Sequence, residues 1–336
     1  MTIIKSQQFM SYALNCIIIG LSVISFASPA LGQVPQSSYP GKSPIRIVAP
    51  FAPGGSLDYM ARLMAKILDD SLGHTVLVEN RPGAGGSTGS AAVAKAEPDG
   101  HTFLYGAVST HAIAPHLRRL PYDALRDFTP ITVVASVPLI LVVHPSVPVY
   151  SVRDLLRLAK AQPGKLNFGS AGVGSIAHLT TAFFMHATGI KMIHVPYKGA
   201  GQFLVEIAGG QIDLVFGTPP SAVSLVRSGR LRAIAVSSAQ RSPALPKVPT
   251  ITESGVPGFE VTLWWALYAP ARLPQDILTR VNGIIVEGLR RPDVRENLKT
   301  QGVDPIGNPP DEAAAYARAE WDKWSKVVAA TGIKLD

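Results

Sequence analysis

Residues 45–68, IRIVAPFAPGGSLDYMARLMAKIL, decide the fold of this chain. The apolar run 45–49 is typical of a short buried strand, and Pro53-Gly54-Gly55 supply a turn. The apolar residues that follow recur at helical spacing: Leu57, Met60, Ala61, Met64, Ile67 and Leu68. The stretch therefore predicts a strand, a loop and a helix in succession.

The same unit recurs directly downstream. Strands are predicted at 76–79 and 102–105, separated by the glycine-rich loop 81–86 and a helix at 87–95. Strands that alternate with helices are typical of a parallel sheet with helices on both faces. We therefore predict an α/β fold.

A second α/β series lies between two long extended stretches, 131–144 and 261–268. Its predicted helices and strands alternate: helices 152–161, 176–187, 202–208 and 221–228, with strands 166–168, 192–195, 212–216 and 233–236. Terminal helices are predicted at 275–289 and 310–329. Two extended crossings between α/β units indicate a discontinuous first lobe, with a cleft and a hinge.

The two extended stretches indicate where the chain passes between the lobes, and they therefore set the predicted lobe boundaries. Residues 33–135 and 260–336 form lobe 1, and residues 136–259 form lobe 2.

Composition excludes several classes of protein. The chain has 336 residues, of which 47% are hydrophobic and 16% charged, which favours packed cores over disorder. The net charge of +8 raises nucleic acid or an anionic membrane as a partner. Basic residues are never more than two in a row (Arg118-Arg119, Arg290-Arg291), so no stripe tracks phosphates. We expect no nucleic-acid partner.

The N-terminal segment predicts secretion. Residues 1–32 carry Lys5 as their only charge, an apolar stretch at 13–26 and a small-x-small site at Ala30-Leu31-Gly32. This pattern is typical of a cleavable signal peptide, and the apolar stretch is shorter than the roughly 20 residues of a spanning helix. Cleavage after Gly32 would also remove Cys16, the only cysteine, which excludes thiol catalysis and disulfides.

Two loops have the composition of an anion site. Residues 51–58 and 169–175 each place glycines and a hydroxyl residue between a strand and a helix. Ligands of open α/β sheets bind beyond the carboxyl ends of strands, where helix N-termini present free N–H groups. The alternative is ordinary loop glycine with helix capping by Ser56 and Ser175. Two such loops, one in each lobe, favour the anion site.

Several single residues have two readings. Asp58 lies in the first turn of its helix, as a cap or as a partner for a ligand amine. His178 is interpreted as a packed or loop-bridging histidine, with ligand contact as the alternative. Tyr197-Lys198-Gly199 and Thr218 end strands and could offer polar groups to the cleft. Of Trp264-Trp265, one ring is expected in the core and the other on the cleft wall.

Enzyme motifs are incomplete. Residues 172–177 fit a dinucleotide-binding pattern, but 192–198 hold no acidic residue for a ribose. Ser170 and Ser175 lack the glycine that a nucleophile elbow needs two residues earlier, where Phe168 and Val173 stand, and the histidines form no HExxH motif. We expect no enzymatic activity, no metal site and no cofactor. A secreted α/β hydrolase that uses Ser170 or Ser175 is the rival hypothesis.

A set of short motifs carries a family resemblance. In chain order they are Pro50-Phe51-Ala52-Pro53-Gly54-Gly55 with Asp58, Val78-Glu79-Asn80-Arg81-Pro82-Gly83-Ala84-Gly85-Gly86, Pro98-Asp99-Gly100, Asp127-Phe128-Thr129-Pro130, Gly172-Val173-Gly174-Ser175 with His178-Leu179, His194-Val195-Pro196-Tyr197-Lys198-Gly199, and Val248-Pro249-Thr250 with Glu253-Gly255-Pro257-Gly258. From about Tyr39 onward the chain resembles the Bug family, the periplasmic solute-binding receptors of tripartite tricarboxylate transporters.

The resemblance implies a type II periplasmic-binding-protein fold that closes on a small carboxylate and passes it to a tripartite membrane permease. It implies a periplasmic location, and we expect a monomer. A sensor that presents the ligand to a membrane signalling protein is the alternative. The candidate ligand-binding residues are Phe51, Gly54, Gly55, Ser56, Asp58, Ser109, Ser170, Gly172, Gly174, Ser175, His178, Tyr197 and Thr218.

Overall fold

A computed structural model of the protein describes residues 39–197 and 200–333. The predicted signal peptide, with Cys16, and the predictions for Lys198 and Gly199 lie outside the described residues.

Helices and strands alternate through most of the chain. The first series is β1 (Ile45–Ala49), α1 (Ser56–Leu72), β2 (Val76–Asn80), α2 (Ser87–Ala94), β3 (Thr102–Ala107), α3 (Ala114–Leu117) and β4 (Phe128–Pro138). The second is β5 (Ile140–Val143), α4 (Val152–Ala161), β6 (Asn167–Ser170), α5 (Ile176–Thr188), β7 (Ile193–Pro196), α6 (Ala200–Ala208), β8 (Leu214–Gly217), α7 (Pro219–Arg227) and β9 (Arg232–Val236). The last is β10 (Thr262–Pro270), α8 (Gln275–Arg290), α9 (Pro292–Thr300), β11 (Asp304–Pro305) and α10 (Pro310–Thr331).

The strands form two sheets. One has the order β11-β4-β10-β3-β1-β2, and the other has the order β7-β6-β8-β5-β9. We call the parts of the molecule built on them the first and second lobes. The predicted parallel pairing holds for β1 with β2 and β3 and for β6 with β7 and β8, but β10 runs antiparallel to β3 and β4, and β5 runs antiparallel to β8 and β9. The antiparallel strands are those next to the crossings, where the chain enters or leaves a lobe.

Ser237 forms hydrogen bonds with both chain segments that connect the lobes, one at Leu139 and the other at Val261. Its fully buried Oγ accepts a hydrogen bond from Leu139 N at 2.8 Å and donates one to Val261 O at 2.5 Å. Its backbone N–H donates to Leu139 O at 2.8 Å, and its carbonyl accepts from Val261 N at 2.9 Å. The outgoing and returning chain segments are thus joined through one residue where they pass between the lobes.

Helix α10 packs against both lobes. It contacts β4 and the turn after β3 in the first lobe and α5 in the second. Its Glu320 carboxylate accepts a hydrogen bond from Trp264 Nε1 on β10 at 2.9 Å. Trp264 and Trp265 are only 0% and 2% exposed, so the expectation that one ring walls the cleft is wrong. Opposite faces of β10 are both covered, which buries both rings.

No helix within the described ranges is both long enough and apolar enough to cross a membrane.

Candidate ligand-binding site

A cavity of about 540 Å³ lies between the two lobes. The first lobe lines it with Phe51, Gly85, Ser109, Ala114, Leu117 and Arg118, and the second with Ala171, Val173, Gly174, Ser175 and Ile176. These residues follow the carboxyl ends of β1, β2, β3 and β6. This edge of an α/β sheet is where ligands bind, because loops and helix N-termini meet there.

A second hollow, of about 560 Å³, lies at the opposite edge of the first sheet. It is lined by residues at the amino ends of β1 and β3, among them Ser43, Arg46, His101 and Thr102. One lobe alone forms it, and neither glycine-rich loop reaches it. The cavity between the lobes is therefore the better candidate site.

Asp58 and Asn80 shape the first glycine loop. The Asp58 carboxylate is 5% exposed and accepts hydrogen bonds from Gly54 N at 3.0 Å, Arg62 Nε at 3.1 Å and Asn80 Nδ2 at 2.9 Å. Asn80 Nδ2 also donates to Phe51 O at 3.1 Å. Burial alone would raise the pKa of Asp58, but these donors hold it below its ordinary value. The carboxylate is thus occupied in holding the loop, which favours the structural reading of Asp58.

Ser56 does not cap its helix. The N-cap of α1 is Gly55, and no side chain accepts a bond there. In the second lobe Ser175 is the N-cap of α5, and its Oγ accepts from His178 N at 3.3 Å. The capping reading thus describes Ser175 and is wrong for Ser56, because α1 starts one residue earlier than the hydroxyl residue suggested.

His178 and Ser170 fix the second glycine loop. Gly174 N donates to His178 Nδ1 at 3.1 Å, and Gly172 N donates to Ser170 Oγ at 3.1 Å. The ring of His178 stacks on that of His194, with 4.0 Å between centroids. The predicted glycine amides are therefore committed within the loop, and His178 takes the loop-bridging role.

Other N–H groups of this loop have no recorded acceptor among the residues that the structure describes. The structure records no hydrogen bond from the N–H groups of Ala171 and Val173 within its described residues. Those of Ile176 and Ala177 open α5, where an α-helix provides no internal acceptor. An anion in the cavity would therefore meet the N–H groups between the glycines and at the helix start.

Ser170 is not arranged as a nucleophile. Its Oγ lies 2.6 Å from His194 Nε2, which resembles a serine–histidine pair. However, Ser170 is 0% exposed, and its Oγ also bonds to the Gly172 backbone. Within the described part of the chain, no acidic side chain bonds to His194 to orient the ring. This geometry holds a loop and gives a substrate no access to the hydroxyl.

The buried histidines predict acid-sensitive stability. Burial, with the neighbouring His194 ring, lowers the pKa of His178 to about 4, and burial lowers that of His111 to about 3. Unfolded histidine has a pKa of about 6.5, so between pH 6.5 and 4 the unfolded chain binds more protons than the folded one. The free energy of unfolding should fall as the pH drops through this interval, by up to about 1.4 kcal/mol per pH unit for each such group.

Urea denaturation between pH 7.5 and 4 checks this prediction. His178→Gln removes one titrating group, so its stability should fall less steeply with acid than that of the parent protein. The same slope in both proteins would contradict the assignment to His178.

Four of the predicted residues line the cavity: Phe51, Ser109, Gly174 and Ser175. The others are not among its lining residues: Gly54, Gly55, Ser56, Asp58, Ser170, Gly172, His178, Tyr197 and Thr218. Thr218 is the N-cap residue of α7, but its side chain makes no capping bond to a backbone N–H, and its Oγ1 lies 2.9 Å from Ser221 Oγ. Tyr197 packs against the apolar core of the second lobe.

Arg118 is a lining residue that sequence reasoning missed. In the sequence, Arg118 is one of two adjacent arginines that precede a loop with a proline. This pattern is also that of a surface arginine, so it does not mark Arg118 as a site residue. The structure brings it to the 84–86 turn, where its Nη2 donates to Ala84 O at 2.5 Å.

No group of three or more potential metal ligands forms within 39–197 and 200–333.

Comparisons with known proteins fit this geometry. A sequence profile for the receptor of the tripartite tricarboxylate transporter family matches residues 60–333. The protein BugT of Bordetella pertussis is 39% identical over 304 residues, covering 90% of this chain and 93% of its own.

Two solved structures from Rhodopseudomonas palustris are similar. The structure of Rpa4515 with adipate has a TM-score of 0.79 at 37% identity and covers 86% of this chain and 97% of that one. The structure of MatC with bound malate has a TM-score of 0.75 at 32% identity and covers 84% and 98%. The predicted fold class, two α/β lobes in the type II periplasmic-binding-protein arrangement, is confirmed.

Proposed function

Since this chain belongs to the tripartite tricarboxylate transporter receptor family, we propose that it captures a small organic acid between its lobes and delivers it to a membrane permease of that system. The family is one of periplasmic solute-binding receptors, and its relatives include one solved with adipate and one solved with malate. A periplasmic site of action agrees with the predicted signal peptide at 1–32.

The observation that carries the proposal is the chemistry of the cavity wall. Of the described residues that line it, Arg118 is charged and none is acidic. Ala171, Val173 and Ile176, whose N–H groups have no recorded acceptor among the described residues, line the same space, as do the hydroxyl residues Ser109 and Ser175. Hydrogen bonds from N–H groups to a carboxylate contribute about 1.5–3 kcal/mol each. This wall suits an anion and disfavours a cation.

We place the lobe boundaries as the sequence predicts, with 33–135 and 260–336 in lobe 1 and 136–259 in lobe 2. The passage of the chain from the first sheet into the second after Pro138, and its return before Thr262, supports this division. Because one chain supplies both walls of the cavity, we propose that the receptor acts as a monomer. We also propose that it is not an enzyme, since the buried Ser170 offers no accessible nucleophile.

A thermal-shift screen tests the carboxylate function. The secreted protein is purified and melted with mono- and dicarboxylates, acidic amino acids and aromatic acids, each paired with its neutral amide at equal ionic strength. An acid at 100 times its Kd should add about 2.7 kcal/mol of stability and raise the melting temperature by several degrees. The paired amide should have no effect. A panel in which no acid raises the melting temperature would overturn the proposal.

A further inference from the structure

Arg118 has a guanidinium group without an anionic partner. No carboxylate of the described residues lies within 4.0 Å of it, whereas arginines such as Arg62, Arg81 and Arg241 form ion pairs with an aspartate or a glutamate. Its one recorded acceptor is the carbonyl of Ala84, and its Nε is buried with no hydrogen-bond partner. A buried donor without an acceptor costs about 1–3 kcal/mol. The side chain is therefore held in place by the turn, and no hydrogen bond from its Nη1 is recorded within the described residues.

The turn at residues 84–86 holds this side chain against the cavity. Ala84 has a φ of +45° and Gly85 a φ of +62°, both in the left-handed region. A Cβ at Gly85 would lie 2.6 Å from Arg118 Nη2, so the glycine leaves the room that the guanidinium occupies. Gly85 and Arg118 both line the cavity. The turn thus positions the positively charged guanidinium group of Arg118 at the first-lobe wall of the cavity.

The second-lobe wall offers a different kind of anion site. There the donors are the N–H groups of Ala171, Val173 and the start of α5, and they carry no net charge. The cavity therefore has N–H donors on one side and a guanidinium on the other. A ligand with a single carboxylate can form hydrogen bonds with the donors of only one wall. A ligand with two carboxylates can form them with the donors of both walls.

We infer that Arg118 binds the second carboxylate of a dicarboxylate whose first carboxylate lies at the N–H groups of residues 171–177. This inference rests on the proposed carboxylate function and narrows its substrate class to diacids. A guanidinium presents a planar fork of donors that fits a carboxylate, which makes it a stronger and more selective partner than an isolated ammonium. Arg118 is thus the residue that distinguishes diacids from monoacids.

Calorimetric titration with two matched series of acids tests this inference. The straight-chain dicarboxylates of four to eight carbons are compared with the monocarboxylates of the same chain lengths. The parent protein should bind at least one diacid ten times or more tightly than its monoacid. Arg118→Gln should reduce that preference to less than about threefold, because it should weaken diacid binding much more than monoacid binding.

Two further variants separate charge recognition from structural effects. Arg119→Gln removes an equal charge from an exposed neighbour that does not line the cavity, and it should keep the full preference for diacids. Arg118→Lys keeps the charge without the fork and should restore part of the preference. Melting temperatures verify that each variant is folded.

The outcomes separate this inference from the function on which it rests. If the parent protein binds monoacids as tightly as diacids, or if Arg118→Gln weakens both series equally, the inference falls and the carboxylate function stands. An equal loss of diacid affinity in Arg119→Gln would also overturn the role of Arg118. If the parent protein binds no acid in either series, the inference falls, and the wider thermal-shift panel decides the carboxylate function.

Discussion

Replacing Gly174 with valine is expected to weaken binding of the ligand acid by tenfold or more. Gly174 has a φ of +79°, in the left-handed region that a β-branched residue adopts only with strain. Its N–H also donates to His178 Nδ1, so a shift of the backbone here breaks a bond that shapes the loop. Each bond from an N–H group to a carboxylate that is lost costs about 1.5–3 kcal/mol, and about 1.4 kcal/mol is a factor of ten in Kd.

Gly189→Val is the matched control. Gly189 has a φ of +69° at the end of α5, and a Cβ there would meet no atom within 4 Å. Both substitutions impose the same kind of backbone strain, so both should lower the melting temperature. Calorimetry should show a loss of affinity in Gly174→Val only. Equal affinities in the two variants would mean that the conformation of the 171–176 loop does not determine binding.

Replacing Glu320 with leucine is expected to destabilise the protein by about 2–4 kcal/mol. Glu320 is 7% exposed, and its Oε2 accepts from Trp264 Nε1 at 2.9 Å and from Trp324 Nε1 at 3.3 Å. Lys323 forms an ion pair with the other oxygen. Leucine would leave two buried indole N–H groups without acceptors, each costing about 1–3 kcal/mol. The contact between α10 and β10 would lose the hydrogen bond that Trp264 Nε1 donates to Glu320.

Glu320→Gln is the control for this prediction, because its amide oxygen can still accept an indole bond. Thermal unfolding should place its melting temperature between those of the parent protein and Glu320→Leu. A loss of 2–4 kcal/mol lowers the melting temperature by roughly 3–6 °C in a chain of this size. If the leucine variant were as stable as the glutamine variant, the indole bonds would contribute little to holding α10.

Local patterns in the sequence predicted most of the elements. The apolar run at 45–49 and the helical spacing after it correspond to β1 and α1, and the predicted helix at 152–161 has the observed bounds of α4. Helix α9 was missed because only Val294 and Leu298 mark its buried face. The antiparallel course of β5 and β10 was missed as well, since strand direction depends on where the chain crosses between lobes.

The site was less predictable because its geometry is non-local. The loops at 51–58 and 169–175 were recognisable from glycines next to strand ends. Which N–H groups stay free was not, because that depends on side chains such as His178 and Ser170 that take up the glycine amides. Arg118 was invisible as a site residue, since its place against Ala84 joins positions 34 residues apart.

A crystal structure of the protein with the acid that gives the largest thermal shift tests the central claim most directly. We predict that the acid lies between the lobes, with carboxylate oxygens within about 3 Å of N–H groups in residues 171–177 and with atoms of the first-lobe wall on its other side. An acid bound in the hollow at Ser43 and His101, or held by one lobe alone, would contradict the account.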